Sequence, residues 1–114
     1  MAKMEYKLTG DFDALVKAVN DGVLNGSISA SYEDGSAWQR GDVRCAVRVY
    51  ERYSAFGANR VSLNVTVIGT GRDLFVSAIT SGGSQAVFFK LNTVGEESFL
   101  RKLDDVIRRF QAGG

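Results

Sequence analysis

Hydrophobic residues follow two different spacings in successive segments of this chain of 114 residues. Apolar and polar residues that alternate one by one indicate a β-strand, because successive side chains point to opposite faces. Apolar residues that recur every three or four positions indicate one side of a helix. The strand pattern occurs in residues 4–8, 27–33, 43–50, 61–67, 74–80 and 87–91. The helix pattern occurs in residues 12–23 and 99–110.

Capping residues accompany both predicted helices. Asp11 precedes the first helix, where its carboxylate can accept from free amides of the first turn. Gly22 and the pair Asn25-Gly26 are interpreted as the helix end and a turn. Thr93 and Glu96 have the spacing of a capping box just before the second apolar stripe. Both helices are amphipathic, so each must bury its apolar side against another element.

Short connections join the predicted strands. Asp34-Gly35 is a strong hairpin signal, because both residues tolerate positive φ. A parallel return needs a crossover of about a dozen residues or more, so neighbouring strands are expected to be antiparallel. The sequence predicts an α+β fold in the order β-α-β-β-β-β-β-α, with a single antiparallel sheet of about six strands and both helices on one face. Residues 1–114 are expected to form one domain, with 111–114 as a frayed tail.

Composition excludes several kinds of chemistry. The chain has no His and one Cys, which excludes imidazole catalysis, His-ligated metals and an internal disulfide framework. Without a catalytic motif, the sequence predicts neither an enzyme nor a bound cofactor. The net charge is +1. A membrane-spanning helix needs about 20 consecutive apolar residues, and no apolar run in the sequence approaches that length. We therefore expect a cytoplasmic protein with no membrane association.

The strand in 43–50 carries the most distinctive polar pattern. Cys45 shares the phase of the valines around it, so we expect a buried, inert thiol. Arg44, Arg48 and Arg52, with Tyr50 between the last two, are expected on the opposite, outer face. Two interpretations remain open: a solvated face paired with acidic residues of neighbouring strands, or a surface for carboxylate, phosphate or single-stranded nucleic acid. The near-zero net charge favours the first and argues against nucleic acid.

Apolar residues between the sheet and the second helix are candidates for a ligand pocket as well as for the core. These residues are Val47, Leu63, Val65, Phe89, Phe99 and Leu103. Three aromatic residues near predicted loops are interpreted either as the rim of a ligand site or contact patch, or as edge packing: Trp38, Tyr53 and Phe56.

The chain carries two resemblances to known proteins. The element order resembles a reduced helix-grip fold, the architecture of START and polyketide-cyclase domains, in which a curved sheet wraps a long C-terminal helix around a cavity for an apolar ligand. The segments KLTGDFD (7–13), VYERYS (49–54), NRVSL (59–63), SGGSQ (81–85) and VFFK (87–90) resemble an uncharacterised family of short proteins of Gram-positive bacteria. That resemblance implies a bacterial origin and brings no activity or site.

Three functions follow as hypotheses. The first is a non-enzymatic domain that binds an apolar or amphipathic small molecule between the sheet and the C-terminal helix. The second is a homodimeric structural or interaction protein that uses an exposed sheet face or edge. The third is single-stranded nucleic acid binding through the face that carries Arg44, Arg48 and Arg52.

Overall fold

A computed structural model describes residues 1–27, 29–53, 60–82 and 89–113, with the side chains of 89–96 excepted. In these ranges the chain forms five strands and two helices. The elements are β1 (Ala2–Thr9), α1 (Phe12–Asn25), β2 (Ser31–Arg40), β3 (Val43–Tyr53), β4 (Arg60–Thr70), β5 (Asp73–Gly82) and α2 (Phe89–Gly113). Among these residues, no helix combines the length and the apolar content that crossing a membrane requires.

One sheet contains all five described strands, in the order β1-β5-β4-β3-β2, and every neighbouring pair is antiparallel. Two-residue turns join β2 to β3 and β4 to β5, and the first turn residue of each, Gly41 and Gly71, has φ near +60°. That left-handed conformation favours glycine, since a Cβ there would crowd the backbone. The predicted α+β class and the single antiparallel sheet are confirmed, and the described residues form five strands where about six were expected.

Both helices pack on one face of the sheet and against each other. α1 begins as predicted, because the Asp11 carboxylate accepts a hydrogen bond of 2.8 Å from the Ala14 amide. The hydrophobic core lies between the helices and the sheet and contains side chains of both. Its members include Leu15, Val19 and Val23 of α1, Leu63, Val65 and Val67 of β4, and Phe99, Leu103 and Ile107 of α2.

The predicted hairpin at Asp34-Gly35 is wrong. Both residues lie inside β2, where the pairing with β3 shifts by one residue between Tyr32 and Asp34, and the chain turns at Gly41 instead. Such a bulge accepts an extra residue without ending the strand. The signal at Asp34-Gly35 therefore marks an irregularity in a long strand.

The predicted sixth strand is also wrong where the structure describes it. Residues 89–91 belong to α2, which begins at Phe89, while 83–88 lie outside the described residues. A short apolar run is compatible with either a strand or a helix, so the alternation in 87–91 was ambiguous. Thr93 and Glu96 consequently lie within α2 and do not begin it, and α2 continues to Gly113 through most of the expected tail.

The faces of β3 are reversed relative to the prediction. Ala46, Tyr50 and Arg52 are buried on the side of the helices, whereas Cys45 and Val47 point to the uncovered side and are only half-buried. The cause is the pairing with β4. Its core residues Val61, Leu63, Val65 and Val67 lie opposite Arg52, Tyr50, Arg48 and Ala46. Directly paired residues of an antiparallel sheet share a face, so β4 turns the even-numbered residues of β3 inward.

Candidate functional site

A groove separates α1 from the inner face of β2 and β3. α1 packs on β3 and β4, and α2 packs on β1, β4 and β5, so the edge strand β2 extends beyond the helices. The space between has a volume of about 760 Å³ and is broadly open to solvent. It arises because the sheet is wider than the helix layer that covers it.

Arg48 supplies the positive charge of the groove. Its Nη1 donates to two backbone carbonyls, Ser36 O at 3.2 Å and Val47 O at 3.0 Å. Within the described ranges no carboxylate lies within salt-bridge distance of this guanidinium. Backbone carbonyls hold the side chain in place but leave its charge uncompensated.

The other charged side chains of the groove are paired. Arg44 makes a two-pronged hydrogen bond to the Asp13 carboxylate, at 2.7 and 2.8 Å, and this bond lowers the pKa of Asp13. Lys17 donates to Asp21 one turn further along α1, at 2.5 Å, and the pKa of Lys17 is raised by that bond. Among the side chains that the structure describes, the groove therefore carries one net positive charge, on Arg48.

Gly35 allows a hydroxyl to lie beside this arginine. A Cβ on Gly35 would collide with the Tyr32 hydroxyl, and it would lie 2.7 Å from Val47 O and 3.2 Å from Arg48 Cδ. The Tyr32 hydroxyl and the Arg48 side chain thus occupy neighbouring positions above the bare backbone of Gly35. Both groups can donate hydrogen bonds into the groove, and both come from the inner face of β2 and β3.

Asn20 lines the groove and is bound to Tyr50 of the core. Tyr50 is fully buried, and its hydroxyl donates to Asn20 Oδ1 at 3.0 Å. Its ring meets the Tyr32 ring edge to face, with centroids 5.9 Å apart. Burial raises the pKa of Tyr50 to about 12. Because Asn20 accepts through its oxygen, its amide nitrogen is a further donor on the groove lining.

Apolar side chains form much of the remaining lining. Val16 and Leu24 of α1 are partly buried against the core and face the groove, and Ala37 of β2 lies across from them. The groove thus combines an apolar wall with a cluster of donors at Arg48, Tyr32 and Asn20, as small-molecule sites commonly do.

The residues predicted to line a pocket lie elsewhere. Leu63, Val65, Phe99 and Leu103 are at most 1% exposed and pack in the core between the sheet and the helices. Val47 was expected to face α2, but it points to the uncovered side of the sheet. The Phe89 side chain lies outside the described residues. None of the five residues whose side chains the structure describes lines the groove.

The expected outer face of arginines is an inner face. Arg44 lies over the Phe12 ring at 4.4 Å in addition to its bond with Asp13, and Arg52 is 8% exposed, over the Phe99 ring at 4.6 Å. Burial lowers the pKa of Arg52. The helices therefore separate the three guanidinium groups, and only Arg48 lines the groove.

Sequence reasoning missed the residues that line the groove together with Arg48. Tyr32 and Asn20 carried no motif, and Gly35 was interpreted as a turn residue. A glycine inside a strand pattern often marks a close approach of another group, and that was the available signal. Trp38 lies within β2 on the uncovered face, Tyr53 ends β3 beside Arg60, and Phe56 is outside the described residues. Across the described part of the chain, no three His, Cys, Asp or Glu residues are grouped to hold a metal ion.

Comparisons with known proteins add a family but no activity. No curated protein matches the chain. Among solved structures, the chain is similar to the protein TTHA0849 from Thermus thermophilus, with 11% sequence identity, a TM-score of 0.34, and coverage of 95% of this chain and 97% of that one. Residues 1–111 match the family described as "Family of unknown function (DUF6054)", and the chain belongs to that family.

Proposed function

We propose that this chain is a non-enzymatic binding domain whose groove beside α1 holds a small amphipathic anion. The observation that carries the proposal is Arg48, a half-buried guanidinium in a partly apolar groove with backbone carbonyls as its hydrogen-bond partners. A cation in this setting gains more from an anionic ligand than a fully hydrated surface arginine would.

The donor arrangement supports an anionic head group. A carboxylate has two oxygens and accepts several hydrogen bonds, and the guanidinium fork matches its geometry. The Tyr32 hydroxyl lies next to the Arg48 side chain above Gly35, so both can reach one head group. Asp13, the carboxylate on the groove lining, is already bound to Arg44 and does not compete for Arg48.

The wall supports an apolar tail. Val16, Leu24 and Ala37 lie along the groove, and its volume of about 760 Å³ suits a small molecule. Each methylene that leaves water contributes roughly 0.8 kcal/mol at most, and the open side of the groove reduces that gain. We therefore expect moderate affinity that depends on both the charge and the tail.

Decanoate is a suitable probe, with 1-decanol as its uncharged counterpart. Titration of the isotope-labelled protein by two-dimensional NMR should shift the amides of Tyr32, Ala37 and Asn20 with decanoate and much less with decanol. Loss of a charged hydrogen bond, worth roughly 1.5–3 kcal/mol, should weaken decanoate binding by about tenfold or more in Arg48→Gln.

Arg72→Gln is the matched control. Arg72 is an exposed arginine in the turn between β4 and β5, away from the groove, so its loss removes the same charge elsewhere. This variant should bind decanoate like the original protein. Equal binding of decanoate and decanol, unchanged affinity in Arg48→Gln, or shifts located outside the groove would each contradict the proposal.

A further inference from the structure

The face of the sheet opposite the helices carries a continuous apolar row. In register across the sheet lie Trp38 of β2, Cys45 of β3, Ile68 of β4 and Phe75 of β5, and the row ends at Lys7 of β1. Trp38 is 57% exposed and Ile68 is 39% exposed. Both described helices pack on the other face, so this row faces solvent in the single chain.

We propose that this face binds a second copy of the chain around a two-fold axis parallel to β4. Such an axis places the two sheets face to face, with β3 over β5 of the partner and β2 over β1 of the partner. Ile68 then meets its own counterpart near the axis. An isologous contact requires a surface that is complementary to itself. The register of the strands shows which residues of the two copies would lie opposite each other.

A groove lies at the other end of the row from Trp38. The groove has a volume of about 470 Å³, and Lys7, Ile68 and Phe75 are among its lining residues. Trp38 and Lys7 are the two ends of the same row, equally far from β4, so the two-fold axis places Trp38 over the partner's Lys7. The indole of each copy would therefore enter the groove of the other, beside an ammonium group that favours an aromatic ring.

A second row of residues on the same face also places charged and apolar side chains opposite suitable partners in the second copy. This row runs through Asp34, Val49, Asn64, Ile79 and Lys3. The same axis brings Asp34 opposite the partner's Lys3 and Val49 opposite the partner's Ile79. Ile79 is 41% exposed in the single chain. Each contact forms twice, with opposite charges together and apolar side chains together.

The available area is sufficient for a dimer. Five strands spaced about 4.8 Å apart and roughly 33 Å long present about 800 Å² on one face. Interfaces of standard size bury about 800 Å² from each partner. The groove beside α1 lies on the opposite face, so this interface and the proposed ligand site are independent.

Sedimentation equilibrium and tryptophan fluorescence test the interface together. Trp38 is the one tryptophan of the sequence, so the emission of the protein reports on this position alone. We expect a dimer at tens of micromolar. On dilution the dimer should dissociate, and the emission maximum should move to longer wavelength because the Trp38 indole becomes exposed to water. A monomer at hundreds of micromolar, with an emission maximum independent of concentration, would overturn the proposal.

Ile68→Asp should abolish the dimer, because the two new carboxylates would face each other near the axis in an interface that excludes water. We expect at least 100-fold weaker association with an unchanged circular dichroism spectrum. Gln111→Asp is the matched control, since it introduces the same carboxylate at an exposed position of α2, on the other face. A variant Ile68→Asp that remains dimeric, or a Gln111→Asp variant that dissociates to the same extent, would contradict the assigned surface.

A charge exchange tests the axis itself. Asp34→Lys and Lys3→Glu should each weaken association, because each places like charges opposite one another, and the two changes together should restore it. Rescue is expected from this two-fold arrangement, since Asp34 and Lys3 lie on opposite edge strands of one chain and meet between copies. Additive weakening in the double variant would refute the proposed axis.

Discussion

Replacing Gly22 by alanine tests the close approach of the two helices. Gly22 lies inside α1, where alanine is ordinarily more favourable than glycine by about 1 kcal/mol. A Cβ at this position, however, would overlap with Val106 Cγ2 of α2 and lie 3.0 Å from Cγ1 of the same side chain. The structure therefore predicts the opposite sign from helix propensity.

The magnitude follows from these two opposing effects. Overpacking a well-packed contact costs roughly 1–3 kcal/mol, and the gain in helix propensity offsets about 1 kcal/mol of it. Gly22→Ala should thus lower the free energy of unfolding by up to about 2 kcal/mol. In a Val106→Ala background the overlapping methyl groups are absent and Cβ of residue 106 remains at 3.2 Å, so the same change should become stabilising by up to about 1 kcal/mol.

Urea unfolding of the four proteins of this double-mutant cycle gives the coupling between Gly22 and Val106. We expect a coupling of roughly 1–3 kcal/mol. Gly113→Ala is the control, because a Cβ at Gly113 meets nothing within 4 Å and should change stability little. If Gly22→Ala stabilises the protein equally in both backgrounds, α1 and α2 do not approach each other as the structure places them.

Three further predictions concern stability. Asp11→Ala removes the acceptor for the Ala14 amide and should lower the thermal midpoint, with a cost of about 1 kcal/mol at the start of α1. Leu63→Ala leaves a cavity in the fully buried core and should cost roughly 2–5 kcal/mol in denaturant unfolding. The pKa of Tyr50 is raised from 10.0 to about 12, so the unfolded chain loses this proton first as the pH rises. The ionisation of Tyr50 should therefore leave the free energy of unfolding unchanged below pH 10 and lower it between pH 10 and about 12. The contribution of Tyr50 to this decrease should be absent in Tyr50→Phe.

Much of the architecture could be predicted from local patterns. The stripe in 12–23 and the Asp11 cap indicated α1, and the alternation in 61–67 indicated both β4 and its buried face. Short turns made the neighbouring strands antiparallel. These features depend on neighbours in sequence, through the periods of helix and strand and the needs of free backbone amides.

The covered face of β3 could not be predicted in the same way. Alternation shows that a strand has two different faces, but not which of them a helix will cover. Valines on one side and arginines on the other suggested the wrong answer. The arginine side is inward because distant groups accommodate it: Asp13 binds Arg44, and the Phe99 ring lies against Arg52.

The sequence alone thus determined the fold class, the first helix and the phase of the strand at the centre of the sheet, since these depend on residues close together in the chain. Tertiary structure alone decided the candidate site. Arg48, Tyr32 and Asn20 line one groove because the sheet extends past α1 and because β2 shifts its pairing by one residue before Asp34. Both depend on how separate elements pack, and a hydrophobic period carries no information on the distance between two elements.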